Sequence, residues 1–190
     1  MTSQPWLMVV DMQHVFADPD SPWAAPDYRS ASEGIRRLRP AFGRRVALTR
    51  FVAPAEPRGS WVAYYRQWPF ALDPARQGQY DLMPEFPVGD ATVISRPTFN
   101  KWDAQTRAAL GDTDELVLTG VSTDCCVIST ALVAADDGVH VRVVADACAG
   151  STQADHERAL AVMALYGPMI EITTVDEVVA RLASSEDITS

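Results

Sequence analysis

Residues 116–127 read Leu-Val-Leu-Thr-Gly-Val-Ser-Thr-Asp-Cys-Cys-Val, and this stretch decides the fold. Its first residues are the apolar run of a buried strand, and its middle predicts a tight turn. The residues from Cys125 to Asp137 have the pattern of a helix, and Val139 begins the next apolar run. A strand followed by a helix and another strand is typical of the βαβ unit of a parallel sheet.

The same alternation continues outward in both directions along the chain. Continuous apolar runs predict strands that are covered on both faces, as parallel strands are. The sequence therefore predicts an α/β fold of three layers, Rossmann-like, with a six-stranded parallel sheet flanked by helices in a single domain, residues 1–190. The predicted strands are Trp6–Val10, Arg45–Thr49, Ala91–Ser95, Glu115–Thr119, Val139–Ala145 and Met169–Thr173. The predicted helices are Ala31–Phe42, Ala104–Leu110, Cys125–Asp137, Gln153–Leu165 and Val175–Ala183.

One segment, residues 51–90, interrupts this alternation. It is rich in proline, glycine and aromatic residues, which predicts a long loop, and a loop of that length in a compact domain is usually functional. Two interpretations stay open: the aromatic residues form a packed layer or an oligomer interface, or they line a substrate pocket. The aromatic residues are Trp61, Tyr64, Tyr65, Trp68, Phe70 and Tyr80.

Composition narrows the classes of partner. The 190 residues carry a net charge of −9, which disfavours nucleic acid and anionic membrane surfaces. We expect a small-molecule substrate that is neutral or cationic, and the exposed aromatics predict a homo-oligomer. Three cysteines without paired spacing, together with no signal-peptide pattern at the N-terminus, predict a cytoplasmic protein.

Polar residues follow the predicted strands at their carboxyl ends, where open parallel sheets bind ligands. A carboxylate, cations and a thiol are expected to converge there from separate strands. These residues are Asp11, Arg50, Arg96, the segment 122–126 and Asp146. Asp146 has the pattern of a close-packed strand end rather than of a reacting group.

A thiol at the start of a helix faces backbone N–H groups and the positive end of the helix dipole. These favour the thiolate and predict a lowered pKa, and the same N–H groups can bind an oxyanion. Both Cys125 and Cys126 lie in the first turn, and helix geometry does not choose between them. The three histidines lack ligand spacing and no glycine-rich phosphate motif is present, so we predict neither a metal nor a cofactor.

Three motifs resemble the isochorismatase-like cysteine hydrolases, a superfamily that includes nicotinamidases and N-carbamoylsarcosine amidases. The most specific are Val-Asp-Met-Gln-His-Val-Phe at 10–16 and Thr-Gly-Val-Ser-Thr-Asp-Cys-Cys-Val-Ile-Ser-Thr-Ala at 119–131. The third is Val-Arg-Val-Val-Ala-Asp-Ala at 141–147. All three occur in the family's order and together span nearly the whole chain.

This resemblance implies a catalytic triad of Asp, Lys and Cys. It assigns Asp11 as the acid and Cys126, rather than Cys125, as the nucleophile. At the position of the family's lysine the chain has Arg96, so Arg96 is the expected cation. Lys101, five residues on, is the alternative, but we expect it to be a solvated charge beside Trp102. An arginine there would be a fixed charge that does not readily yield a proton.

The resemblance also implies a cis peptide bond between Val121 and Ser122, and an oxyanion hole formed by the amides of Ser122 and Cys126. The metal-binding residues of nicotinamidases are replaced by Arg-Phe-Val-Ala-Pro at 50–54, which places the chain with the metal-free members. The expected reaction is hydrolysis of a C–N bond in a small amide or ureido compound through a Cys126 thioester. The alternatives are vinyl ether hydrolysis of the isochorismatase type, and a catalytically weakened binding or scaffold protein.

Overall fold

A computed structural model of the chain describes residues 4–111 and 113–187. It contains a six-stranded, all-parallel sheet in the order β3-β2-β1-β4-β5-β6. The strands are β1 (Trp6–Val10), β2 (Val46–Phe51), β3 (Thr92–Arg96), β4 (Glu115–Val121), β5 (His140–Ala149) and β6 (Ile170–Thr173). This confirms the predicted fold class and all six strands, with β2, β4 and β5 extending further at their carboxyl ends than the sequence indicated.

The helices cover both faces of the sheet. They are α1 (His14–Ala17), α2 (Tyr28–Leu38), α3 (Trp61–Gln67), α4 (Ala104–Leu110), α5 (Ile128–Asp136), α6 (Gln153–Ala164) and α7 (Val175–Asp187). Among the described residues, none of these helices combines the length and the apolar character needed to cross a bilayer.

Alternate residues of the central strand face two separate cores. Leu7 and Val9 pack with α2 and α7, whereas Met8 and Val10 pack on the opposite face with α4, α5 and α6. Because both faces are buried, β1 needs the continuous apolar sequence from which it was predicted. The sheet is thus the middle of three layers.

Residues 51–90 are more ordered than the predicted loop. They contain α3 and two 3₁₀ turns, Pro69–Leu72 and Pro74–Tyr80. Trp61, Tyr64, Tyr65 and Trp68 are spaced by three and four residues, so one side of α3 carries most of their rings. The expectation of a loop missed this helix because proline and glycine dominate the composition on either side of it.

Gly120 lets β4 approach β1 closely at their carboxyl ends. Its φ of +108° lies in the region that favours glycine, and a Cβ there would stand 2.1 Å from the Val10 carbonyl oxygen. The pairing of β4 with β5 shifts register between Leu118 and Gly120. The turn after β4 is thereby set directly beside the residue that follows β1, at the point where the strand order reverses.

Candidate active site

Asp11 is the first residue after β1, and its side chain is completely buried. Its φ is +51°, and it is the one described residue other than glycine with a positive φ. Thr49 of β2 holds it from two directions. The Asp11 N–H donates to Thr49 Oγ1 at 3.1 Å, and the Thr49 hydroxyl donates to Asp11 Oδ1 at 2.6 Å. The neighbouring strand therefore fixes the direction in which the carboxylate points.

Lys101 supplies the positive charge that faces this carboxylate. Its Nζ lies 3.0 Å from Asp11 Oδ2, and the side chains of both residues are 0% exposed. Nζ also donates to the Thr98 carbonyl at 2.7 Å, while Thr130 and Thr106 anchor the Lys101 main chain. Asp11 Oδ2 accepts no conventional hydrogen bond within the described residues. Its contact with Lys101 is an ion pair, and the Cys126 thiol is the donor that faces the Asp11 carboxylate.

Arg96 does not take part in this pair, and the expectation that it holds Asp11 is wrong. Its guanidinium forms a two-pronged contact with Asp103, at 2.6 and 2.8 Å, and contacts Thr106 at 3.2 Å. Arg96 ends β3, the edge strand, and β2 separates β3 from β1. The loop after β3 instead turns back toward the centre of the sheet and brings Lys101 to Asp11.

The Arg96–Asp103 contact has a structural role of its own. Asp103 caps α4 by accepting the Thr106 N–H at 2.7 Å. The hydrogen bond from Arg96 is the main reason that the pKa of Asp103 falls to about 2. Asp103 is a residue type that favours the N-cap position of a helix, but nothing in the sequence indicates that Arg96 pairs with it.

Cys126 lies in a π-helical turn, Thr123–Val127, that connects β4 to α5. Its side chain is 3% exposed. Burial raises the pKa of the thiol well above its usual value, Lys101 lowers it, and the charge and acceptor oxygens of Asp11 raise it again. The sequence-based expectation of a lowered pKa is therefore wrong, because desolvation outweighs the amides of the turn and the lysine. The resting group is a neutral thiol that faces an ion pair.

Cys125 and Cys126 lie in the same turn but have different surroundings, and the difference indicates which thiol belongs to the site. Cys125 is partly exposed, and its sulfur points toward Asp124 at 3.7 Å. Burial and the Asp124 carboxylate raise the pKa of Cys125 to about 12, with no cation to oppose them. Only Cys126 has a cation and a carboxylate beside it, which is the arrangement that the resemblance assigned to it.

Ser122 stands at the start of the turn and is 5% exposed. The Val121–Ser122 peptide bond is cis. The N–H groups of Cys125 and Val127 both donate to the Ser122 carbonyl at 3.1 Å, so the backbone wraps around this residue. Ser122 and Cys126 both line one cavity. The oxyanion hole formed by their amides stays a prediction.

That cavity has a volume of about 310 Å³ and a predominantly aromatic wall. It supports the interpretation of the segment 51–90 as a pocket wall, since Phe51, Tyr64 and Trp68 line it. An oligomer interface remains a prediction. The lining residues are Phe16, Pro22, Trp23, Ala24, Phe51, Tyr64, Trp68, Phe99, Ser122, Cys125, Cys126 and Ser151.

Histidines make no contact with Cys126 in the part of the chain that the structure describes. His156 Nδ1 is 2.8 Å from Thr123 Oγ1, and burial lowers its pKa. His140 lies 4.0 Å from Glu171 at the opposite end of β5. Within residues 4–111 and 113–187, no three His, Cys, Asp or Glu side chains are grouped so that they could hold a metal ion.

The profile of the isochorismatase domain family matches residues 5–177, which is most of the chain. The chain belongs to the isochorismatase family. Membership supports hydrolase activity.

The chain is also similar to known proteins whose names include this family or a hydrolase activity. Over 109 residues the chain is 33% identical to isochorismatase domain-containing protein 2 from Xenopus laevis, covering 56% of this chain and 52% of that protein. The chain thus spans about half the length of this relative. A cysteine hydrolase from Pseudomonas syringae pv. phaseolicola 1448A has a TM-score of 0.82 at 21% identity, covering 95% and 92% of the two chains.

The fold is shared more widely than any one activity. A MAR1 ribonuclease from Caenorhabditis elegans has a TM-score of 0.68 at 20% identity, covering 96% of this chain and 84% of that chain. At such identities the likeness shows the fold alone. The chemistry of this family member must therefore be argued from its own site.

Replacing each of the two candidate cations tests which one belongs to the isochorismatase-family site. Lys101→Met leaves Asp11 buried without a counter-charge, so we expect the free energy of unfolding to fall by about 3–5 kcal/mol. We also expect slower alkylation of Cys126 by iodoacetamide, because the lysine lowers the thiol pKa. Arg96→Met is the control: it removes a partly exposed, two-pronged contact with Asp103, so we expect a smaller loss of about 1–2 kcal/mol and unchanged alkylation. A larger loss of stability and slower alkylation in Arg96→Met than in Lys101→Met would show that Arg96, and not Lys101, is the cation of the site.

Thr49 was not identified from the sequence, and its two bonds to Asp11 give it a measurable role. Thr49→Val keeps the shape of the side chain and removes the hydroxyl that bonds a buried carboxylate. We expect the free energy of unfolding to fall by about 1.5–3 kcal/mol in urea titrations. Thr49→Ser keeps the hydroxyl and should lose clearly less. Equal losses for the two variants would show that the methyl group, rather than the bond to Asp11, matters.

Proposed function

We propose that the protein is a cysteine hydrolase that cleaves a C–N bond of a small amide or ureido compound through a Cys126 thioester. The observation that carries the proposal is the buried arrangement of Cys126 against Asp11 and Lys101, at the floor of a cavity of substrate size. A thiol, a proton acceptor and a fixed positive charge are what acyl transfer to sulfur requires.

In the first half of the reaction, Asp11 accepts the S–H proton of Cys126. The Asp11 carboxylate is the acceptor that interacts with this thiol, and Lys101 lies 3.0 Å from its Oδ2. The sulfur lone pair attacks the carbonyl carbon, and the C=O electrons move to oxygen. The resulting oxyanion is stabilised by the N–H groups of Ser122 and Cys126, and Lys101 stabilises the charge at sulfur and carboxylate.

Collapse of the tetrahedral intermediate breaks the C–N bond. The leaving nitrogen takes the proton from Asp11 and departs as ammonia or an amine, which leaves the acyl group on Cys126. Water then enters, Asp11 accepts one of its protons, and the hydroxide oxygen bonds to the thioester carbon. The C–S bond breaks, and the sulfur takes back the proton that Asp11 holds, which restores the free enzyme. The other product is a carboxylic acid from an amide, or a carbamic acid from a ureido compound.

The rival functions are less well supported. A scaffold role was suggested by Arg96 at the position of the family's lysine, but Lys101 fills the place that Arg96 does not. Vinyl ether hydrolysis has no use for a nucleophilic thiol beside a carboxylate and an ammonium group. Ribonuclease activity requires cations for the phosphates, and the cavity lining contains neither lysine nor arginine.

The adjacent thiols provide a matched pair for testing the nucleophile. Cys126→Ala should reduce ammonia release from an amide substrate by on the order of 10⁴-fold or more, because the covalent route is lost. Cys125→Ala removes the same atoms one residue away and should keep most of the activity. Intact-protein mass spectrometry after rapid acid quench should show the acyl adduct on wild type and on Cys125→Ala. An adduct that persists in Cys126→Ala would refute the assignment.

Asp11→Asn should separate thiol reactivity from turnover. The carboxylate raises the pKa of the Cys126 thiol, whereas Lys101 lowers it. Without the carboxylate we expect that pKa to fall, so iodoacetamide should modify Cys126 faster at neutral pH. Hydrolysis should nevertheless fall by on the order of 10²–10⁴-fold, because the proton acceptor is gone. Measuring both rates from pH 6 to 9 checks the prediction, and a parallel fall in both would contradict it.

A further inference from the structure

The wall of the cavity is aromatic and carries no formal charge. Six of its twelve lining residues are aromatic, and the polar remainder consists of two serines and two cysteines. The charged residues that act on the sulfur, Asp11 and Lys101, are fully buried and form an ion pair, and Lys101 also donates to the Thr98 carbonyl. Burial raises the pKa of Tyr64 above its usual value, and the neighbouring thiols raise it further, so its phenol stays neutral.

An anionic substrate group would be poorly held at this wall. Asp124 lies just behind the rim, where its carboxylate accepts the N–H and the hydroxyl of Ser151, each at 2.8 Å. The chain as a whole carries a charge of −9. A carboxylate or phosphate on the substrate would lose its water without gaining a cation.

A cationic group is also disfavoured, because Lys101 Nζ already lies 5.0 Å from the centroid of the lining ring of Phe51 and would repel it. Trp23 contacts Phe70 edge-on at 5.0 Å, Phe51 edge-on at 5.6 Å, and Tyr64 at 5.8 Å. Phe99 is likewise packed against Trp61, at 4.9 Å. A cation cage has open ring faces that converge on one point, usually with a carboxylate nearby, and the described residues that line this cavity include no carboxylate.

We propose that the part of the substrate attached to the scissile carbonyl is an uncharged, apolar group, aromatic or branched aliphatic, that packs against this wall. The proposal rests on the proposed function and adds the substrate class to it. The volume of about 310 Å³ is at the small end of the range for ligand sites, so the group is compact.

Isosteric amides test the charge preference. Propanamides that end in a tert-butyl, a trimethylammonium or a carboxylate group share a chain length, and the first two share a shape. Binding to Cys126→Ala, measured by calorimetry, reports on the pocket without any turnover. We expect the tert-butyl amide to bind tighter than either charged amide by about tenfold or more. Equal or tighter binding of a charged amide, or no binding of any, would overturn the proposal.

Turnover by wild type separates this inference from the proposed function. Ammonia release should be fastest, in kcat/KM, from the tert-butyl amide. If Cys126→Ala binds that amide selectively while wild type releases ammonia from none of the three, the pocket assignment stands and the proposed hydrolase function fails.

A positive charge placed in the wall should weaken the preference for the uncharged amide over the carboxylate amide. Trp68→Lys puts an ammonium group at a lining position, so the ratio of kcat/KM for the carboxylate amide to that for the tert-butyl amide should rise by about tenfold. Val62→Lys adds the same charge on α3 outside the lining and should leave the ratio as in wild type. Equal ratios for Trp68→Lys and wild type would show that this wall does not contact the substrate.

Discussion

The ion pair between Lys101 and Asp11 is the interaction on which the rest of the site depends. Removing both charges from water costs several kcal/mol for each ion, and their attraction repays this only when the remaining hydrogen-bonding groups are satisfied. Thr49 bonds one carboxylate oxygen and the Thr98 carbonyl bonds the ammonium group. Hydrogen bonds from Thr49 and to Thr98 therefore fix the position of the ion pair. That position determines how Asp11 and Lys101 shift the pKa of the Cys126 thiol.

Backbone geometry brings the parts of the site together. Asp11 follows β1 and Cys126 follows β4, and these strands are neighbours at the centre of the sheet. The close approach at Gly120 allows the turn after β4 to lie against the residue after β1. Lys101 comes from further away, on the loop that begins at the edge strand β3. Two members of the site thus follow from topology, and the third depends on the path of a loop.

This difference explains what the sequence could predict. Strand ends can be located from apolar runs, so Asp11 and the segment from Ser122 to Cys126 were predicted at the right edge of the sheet. Lys101 lies five residues beyond the end of β3, in an irregular segment. The path of such a segment cannot be predicted from hydrophobic periodicity. Arg96 was misassigned for the same reason: alignment to a motif gives a position along the chain, whereas charge pairing depends on distance. Thr49 lies within the β2 pattern, where threonine is common because it is β-branched. Nothing in the sequence therefore indicates that its hydroxyl bonds Asp11.

The raised pKa of Cys126 has a consequence for how the proposed reaction would be controlled. A permanently ionised thiol is reactive toward oxidants and any electrophile that reaches it. Here burial keeps the proton on sulfur, while Asp11 and Lys101 already stand in the geometry that its removal requires. In the proposed mechanism the proton moves when an acyl carbon lies against the sulfur and the aromatic wall has excluded water. The same desolvation that makes the resting thiol weak then strengthens the amide and ammonium contacts to the developing charges.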